Sequence, residues 1–217
     1  MIIVEPTFKI LYPQTKSEAV DALRRVELAG RVCYKSEDRA NEDSYYRFIQ
    51  MLMGRGHWSV IEHATMTAHL VTNRGVTHEL VRHRVASFSQ ESTRYCNYNK
   101  GKFGGEITVV NPGELSGENL TAWRQGIEAV EKSYMQMIQA GVSPQIARGV
   151  LPNDLKAEIV VTANLREWHH IFTMRCASNA HPHIRHVMKL GLAQMIEWYS
   201  PVFDDLRHLC ELGNALA

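Results

Sequence analysis

Between residues 64 and 72, apolar and polar side chains alternate: Met66, Ala68 and Leu70 against Thr65, Thr67 and His69. A period of two belongs to a strand with one face buried and the other wet. This short stretch excludes an all-helical bundle, although most of the remaining chain repeats at helical spacing. The fold must therefore bring helices against a sheet.

The neighbouring segments fill in that picture. Residues 2–12 carry Ile2, Ile3, Val4, Phe8, Ile10 and Leu11 and read as one strand. Thr15 and Glu18 have the spacing of a capping box and open a helix bearing Val20, Leu23 and Val26. A second helix covers about 43–54 and ends at Gly54 or Gly56, and a short one covers 74–83. Residues 86–105 are polar and rich in glycine and read as a long loop, followed by a brief strand at Glu106–Val110. A long helix runs from about Leu120 to Ala140, stopped by Gly141, and a short one follows Pro144. Ala157–Ala163 fits either strand or helix by period. Helices then cover about 165–178, 183–199 and 201–212, with Pro182 and Pro201 suited to first turns. The order predicts an α+β fold, a central antiparallel-type sheet flanked by long helices. Residues 1–217 show no repeat or linker and read as one domain.

Composition narrows the function. The chain is 45% hydrophobic and 22% charged, as ordinary globular proteins are. Lys and Arg exceed Asp and Glu by 24 to 23, so no basic excess points to nucleic acid. No run approaches the roughly 18 apolar residues of a membrane span. Met-Ile-Ile-Val-Glu-Pro lacks the basic region of a signal peptide. Cys33, Cys96, Cys176 and Cys210 lie far apart without a CxxC pair, which predicts free thiols in a reducing cytoplasm.

The chemistry concentrates in Arg82–Tyr95, where three arginines, one histidine and five hydroxyl groups fall within fourteen residues. A helix that ends in Arg-His-Arg and runs into a Ser-rich segment presents guanidinium forks, hydroxyls and backbone N–H groups together. That set suits a phosphate-like anion, although a solvated Arg-rich surface has the same composition.

Arg82-His83-Arg84, seven residues, then Ser92 resembles the signature of the flavin-dependent thymidylate synthases, and Arg94-Tyr95 follow as in that family. Upstream, Gly56-His57-Trp58-Ser59-Val60-Ile61-Glu62-His63 is similar to its Gly-His-x-Ser/Thr-x-x-Glu-His segment. Downstream, Ala147–Pro152, Asn164-Leu165-Arg166, and Arg175 with Ala180-His181 match further segments in the same order. Together the matches span roughly residues 29–185.

The resemblance implies methylation of dUMP at uracil C5 to give dTMP. Methylenetetrahydrofolate supplies the carbon, reduced FAD the hydride, and NADPH restores the flavin. It implies FAD contacts from Ser59, Arg82, His83, Arg84, Gln90, Asn164, Arg166 and His170. It implies dUMP contacts from Glu79, Arg82, Gln90, Ser92, Arg94, Arg148 and Arg175, with Ser92 and Arg94 at the phosphate. Arg175 would bind the pyrimidine and stabilise charge developing on it, and His57 would lie near flavin and folate. Glu79 stands where Gln also occurs in the family, Gln90 where many members have Glu, and His170 where Asn or His occurs. A homotetramer with active sites shared between subunits is implied as well. Permanent cations suit both an anionic reduced flavin and a phosphate dianion.

Other chemistries are less well provided for. No Gly-x-Gly-x-x-Gly follows a strand, so no Rossmann site is expected. His183 and His186 are three apart, but no third ligand completes a metal site, and none is expected. Cys96 lies close to Arg94, where a thiolate nucleophile like that of the flavin-free thymidylate synthases is conceivable. The family resembled does not use one, so Cys96 is read as structural. An Arg- and aromatic-bearing nucleic-acid loop at 82–95 is disfavoured by the near-zero net charge.

Overall fold

The computed structural model describes residues 1–101 and 104–210. Its centre is a four-stranded antiparallel sheet. The strands are β2 (Thr7–Tyr12), β3 (Thr65–Asn73), β4 (Ala86–Gln90) and β6 (Lys156–Asn164), in the order β2-β3-β6-β4. A parallel pair, β1 (Ile2–Val4) and β5 (Thr108–Val110), stands apart. The α+β expectation with an antiparallel sheet holds.

The alternation in β3 does what its period requires. Met66, Ala68 and Leu70 are buried with Ile10 of β2 and Ile159, Val161 and Ala163 of β6. On the opposite face Thr67 and Thr162 share a 2.9 Å hydrogen bond and His69 meets Glu158 at 3.0 Å. The buried face packs on α1 (Lys16–Tyr34), α6 (Leu165–Arg175) and α7 (Pro182–Tyr199). Trp168 of α6 anchors this core. Its indole N–H donates to the Met66 carbonyl at 2.9 Å, and its ring stacks on Phe172. A second core joins Ile107, Val109 and Leu155 to Ile127 and Tyr134 of α4 (Gly117–Gln139). No helix among the described residues is long and apolar enough to cross a membrane.

The helix-start signals at Thr15, Pro144 and Pro182 hold, and the long helix expected from about Leu120 starts at Gly117. Thr15 caps α1 by accepting from the Glu18 N–H, while the Glu18 carboxylate accepts from the Gln14 N–H. α2 (Ser44–Gly54) and a short α3 (Arg74–Leu80) follow, and Pro182 begins α7. α5 (Pro144–Ala147) starts at its proline.

Several expectations are corrected. Residues 2–12 form two strands in different sheets, because Glu5-Pro6 breaks the run and Pro6 cannot donate to a ladder. The segment 86–105 is not all loop: Ala86–Gln90 pairs with β6 as an edge strand. Ala157–Ala163 is strand, enclosed between β3 and β4. The α3 helix ends at Leu80 rather than residue 83, and α6 at Arg175 rather than 178. No helix starts at Pro201; a 3₁₀ turn at Asp204–Leu206 and a short α8 (Arg207–Cys210) replace it, and residues 211–212 lie outside the described residues.

Candidate active site

The sheet delivers two of its strand ends into helices that carry the signature residues. Asn73 ends β3 and caps α3, its Oδ1 accepting from the Val76 N–H at 2.9 Å. Asn164 ends β6 and caps α6 the same way, accepting from the Glu167 N–H at 2.8 Å. β3 and β6 are antiparallel neighbours, so the two helices leave opposite ends of the sheet, and the far end of α6 comes back to the end of α3.

Where they meet lies a hydrogen-bonded polar group centred on Arg175. Arg175, the last residue of α6, donates from Nε to His83 Nε2 at 3.0 Å. Its Nη1 donates to Glu79 Oε2 at 2.9 Å and its Nη2 to the Glu79 carbonyl at 3.1 Å. These contacts use three of the five N–H donors of a guanidinium. His83 is only 7% exposed and lies edge-on to His170, ring centres 5.5 Å apart. Burial first, then the charges of Arg175 and His170, pushes its pKa down to about 4. At neutral pH the ring is therefore uncharged and can accept from Arg175. Its Nδ1 lies 3.4 Å from Glu167 Oε1.

A second group forms after β4. The Ser92 Oγ accepts from the Arg94 N–H at 3.3 Å, the Arg94 Nε donates to Gln145 Oε1 at 3.2 Å, and Arg148 Nη1 donates to Thr93 Oγ1 at 3.4 Å. Gln90 ties β4 to α3 by donating to Thr77 Oγ1 at 2.9 Å. The third group borders the start of α6. Arg166 meets Glu62 at 2.6 Å, with exposed Ser59 in the same 3₁₀ segment, Trp58–His63. His57 Nδ1 lies 3.2 Å from the Tyr34 hydroxyl.

The structure thus unites Glu79, His83, His170 and Arg175, and separately Ser92, Arg94 and Arg148. No hydrogen bond or ion pair between described residues joins these two groups. Arg82, Arg84, Arg94, Arg148 and Arg166 are exposed on the single chain. A cavity of about 560 Å³ is lined by Val110, Cys176, His183, Arg185 and Lys189 among others, and by none of the residues assigned to FAD, dUMP or folate from the sequence. Glu167 and Thr77 were not foreseen as site residues. Glu167 sits in the first turn of α6, where an acid reads simply as a favourable helix-end charge.

The other chemistries find little support in the geometry. Cys96 packs against the second core, and burial pushes the Cys176 thiol up to about 12. His183 bridges Asn73 and the Pro112 carbonyl, and among the described residues no group of three His, Cys, Asp or Glu is placed to hold a metal ion. Exposed arginines beside hydroxyls and an uncharged imidazole do fit a flavin and a nucleotide phosphate, since these cations need no deprotonation and keep free donors.

Solved structures share the fold. Thymidylate synthase X from Helicobacter pylori, solved with FAD and dUMP, superposes with a TM-score of 0.75 at 16% identity, covering 95% of this chain and 99% of that one. A UMP/dUMP methylase, PolB from Streptomyces cacaoi, superposes with a TM-score of 0.71 at 24% identity, covering 94% and 96%. Flavin-dependent thymidylate synthases from Geobacter sulfurreducens and Pyrococcus furiosus are 32% and 30% identical. The former alignment covers 87% of this chain and 83% of the relative, the latter 90% and 79%. The family model described as thymidylate synthase complementing protein matches residues 17–201. With that match spanning most of the sequence, the chain belongs to the flavin-dependent thymidylate synthase family of enzymes.

Proposed function

We propose that this chain converts dUMP to dTMP by reductive methylation, with methylenetetrahydrofolate as carbon donor, FAD as resident cofactor and NADPH as reductant. The observation that carries this reading is Arg175, clamped by Glu79 and His83 with two N–H donors left over. A uracil edge offers carbonyl acceptors for those two donors. A guanidinium fixed before the ligand arrives stabilises charge that develops on the ring without having to reorganise.

Bound FAD would supply hydride chemistry. Arg82, Arg84, Arg166, Ser59, Asn164 and His170 are the residues that would hold it, with His83 as a neutral wall and Gln90 reaching it from the end of β4. Ser92, Arg94 and Arg148 would hold the nucleotide phosphate; in support, Ser92 accepts from the Arg94 N–H, and the Arg148 guanidinium reaches Thr93, which lies between those two in the sequence. His57 would flank the flavin and folate. No enzyme cysteine is needed as nucleophile, in keeping with the packing of Cys96 and the raised pKa of Cys176.

The same proposal has residues 1–217 acting as one catalytic domain in a cytoplasmic homotetramer whose active sites are shared between subunits. What supports sharing is that five of the six candidate arginines are exposed on the single chain and line none of its cavity. A second copy could close over them.

Anaerobic incubation with NADPH, dUMP and labelled methylenetetrahydrofolate tests the reaction. Labelled dTMP from a yellow protein is expected. A colourless protein, or a flavin-loaded one that forms no labelled dTMP, rejects the proposal. Arg175→Ala is expected to retain FAD and lose about 100-fold in turnover; turnover within a few-fold of wild type rejects the role of Arg175.

A further inference from the structure

We propose that Glu167 is a positioning residue for Arg175, acting through His83. This rests on the function proposed above and adds a residue outside the signature segments.

The carboxylate of Glu167 is 12% exposed and lies 3.4 Å from His83 Nδ1; burial raises its pKa and the neighbouring His170 lowers it. Capping does not account for its burial. The cap of α6 runs from Asn164 to the Glu167 backbone N–H and leaves the carboxylate out. Burying an acid costs free energy unless something nearby needs its charge.

His83 supplies that need. To accept from Arg175 Nε, its Nε2 must carry a lone pair. A neutral imidazole has one N–H, so the proton must then sit on Nδ1. The opposite tautomer would set two N–H donors face to face. A carboxylate beside Nδ1 favours the productive tautomer, as an outer carboxylate does for ligand histidines elsewhere. The ring is thereby held between two residues of one helix, Glu167 in its first turn and Arg175 at its end. Arg175 in turn is fixed in plane by Glu79 on the other side. Glu167 touches neither ligand in this scheme. It sets which way His83 presents its lone pair, and hence where the guanidinium points.

The test is a double-mutant cycle in FAD-loaded protein, reading kcat and KM for dUMP from labelled dTMP, with melting temperature alongside. The proteins are wild type, E167A, R175K and E167A/R175K. Lysine keeps the charge but lacks the Nε–H that meets His83. E167A is expected to lower kcat/KM by ~10-fold or more, mostly in kcat, while FAD is retained. In the R175K background the same change is expected to cost less than about twofold, because the path through His83 is already cut. An equal loss in both backgrounds, or full activity of E167A, overturns the proposal. Should E167A not fold, E167Q enters the same cycle with the same sign expected and the same outcomes overturning it.

A second readout needs no turnover. The ¹⁵N shifts of the His83 ring are expected to show Nδ1–H in wild type and a shifted tautomer balance in E167A. An unchanged tautomer overturns the proposal, even if the wild-type protein makes no dTMP and the functional reading itself falls.

Discussion

Arg82, His83 and Arg84 are consecutive, yet the turn after α3 sends the imidazole into the protein and both guanidiniums out of it. The inward residue carries a measurable signature. Its folded pKa is about 4, against about 6.5 in an unfolded chain. The unfolded state therefore takes up the proton first as pH falls. Stability is at its full value above pH ~6.5 and declines toward pH ~4, by up to about 3 kcal/mol from this residue. Urea midpoints for wild type and His83→Asn at pH 7 and pH 5 should show that decline reduced in the variant; parallel declines would show that His83 is not buried as a neutral ring. At this scale the sequence was informative about identities and silent about partners. Arg175 stood out by its pattern, but Glu79 and His83 lie 96 and 92 residues away along the chain, and no local rule pairs them. Glu167 was hidden because its position has an adequate explanation at a helix start.

Among the elements, close approach decides more than propensity does. Gly191 lies on α7 where it crosses β2, and a Cβ there would come within 2.7 Å of the Phe8 ring. That ring also meets Trp168 and Phe172, so it has little freedom to withdraw. Gly191→Ala is therefore expected to destabilise by about 1–3 kcal/mol through overpacking, despite alanine's better helix propensity. A melting temperature equal to or above wild type would show that the sheet and α7 can separate slightly at no cost. Strands with alternating or capped boundaries, such as β3, were legible. β4 was not, because Ser87 and Ser89 gave it the composition of a loop. In fact Ala86, Phe88 and Gln90 keep the strand period, and pairing to β6 supplies the rest. β6 itself could not be distinguished from helix by period, since its neighbours, not its own pattern, fix it as strand.

At the scale of the molecule, the sequence identified the family and the α+β layering, but not how the two arginine groups come together. Among the described residues, the Arg175 group and the Ser92–Arg148 group do not bond to each other. If they meet across subunits, two defective proteins can complement. Arg148→Ala and Arg175→Ala, each nearly inactive, should after subunit exchange regain about a quarter of wild-type turnover, since random assembly leaves about one site in four with both arginines. No recovery on mixing would place both groups in the same chain's site.

The candidate arginines also differ in readiness. Arg175 has its orientation fixed by folding, whereas the guanidiniums of Arg82 and Arg84 extend from the surface with no hydrogen-bond partner among the described residues. A ligand that engages the latter must restrict side chains that were previously mobile, at roughly 0.5–1.5 kcal/mol for each. Pyrimidine discrimination would then rest on a rigid template, and grip on the anionic ends on an adaptable one. Substitutions around Arg175 should alter which base is accepted, and those among the outward arginines only how tightly any nucleotide is held.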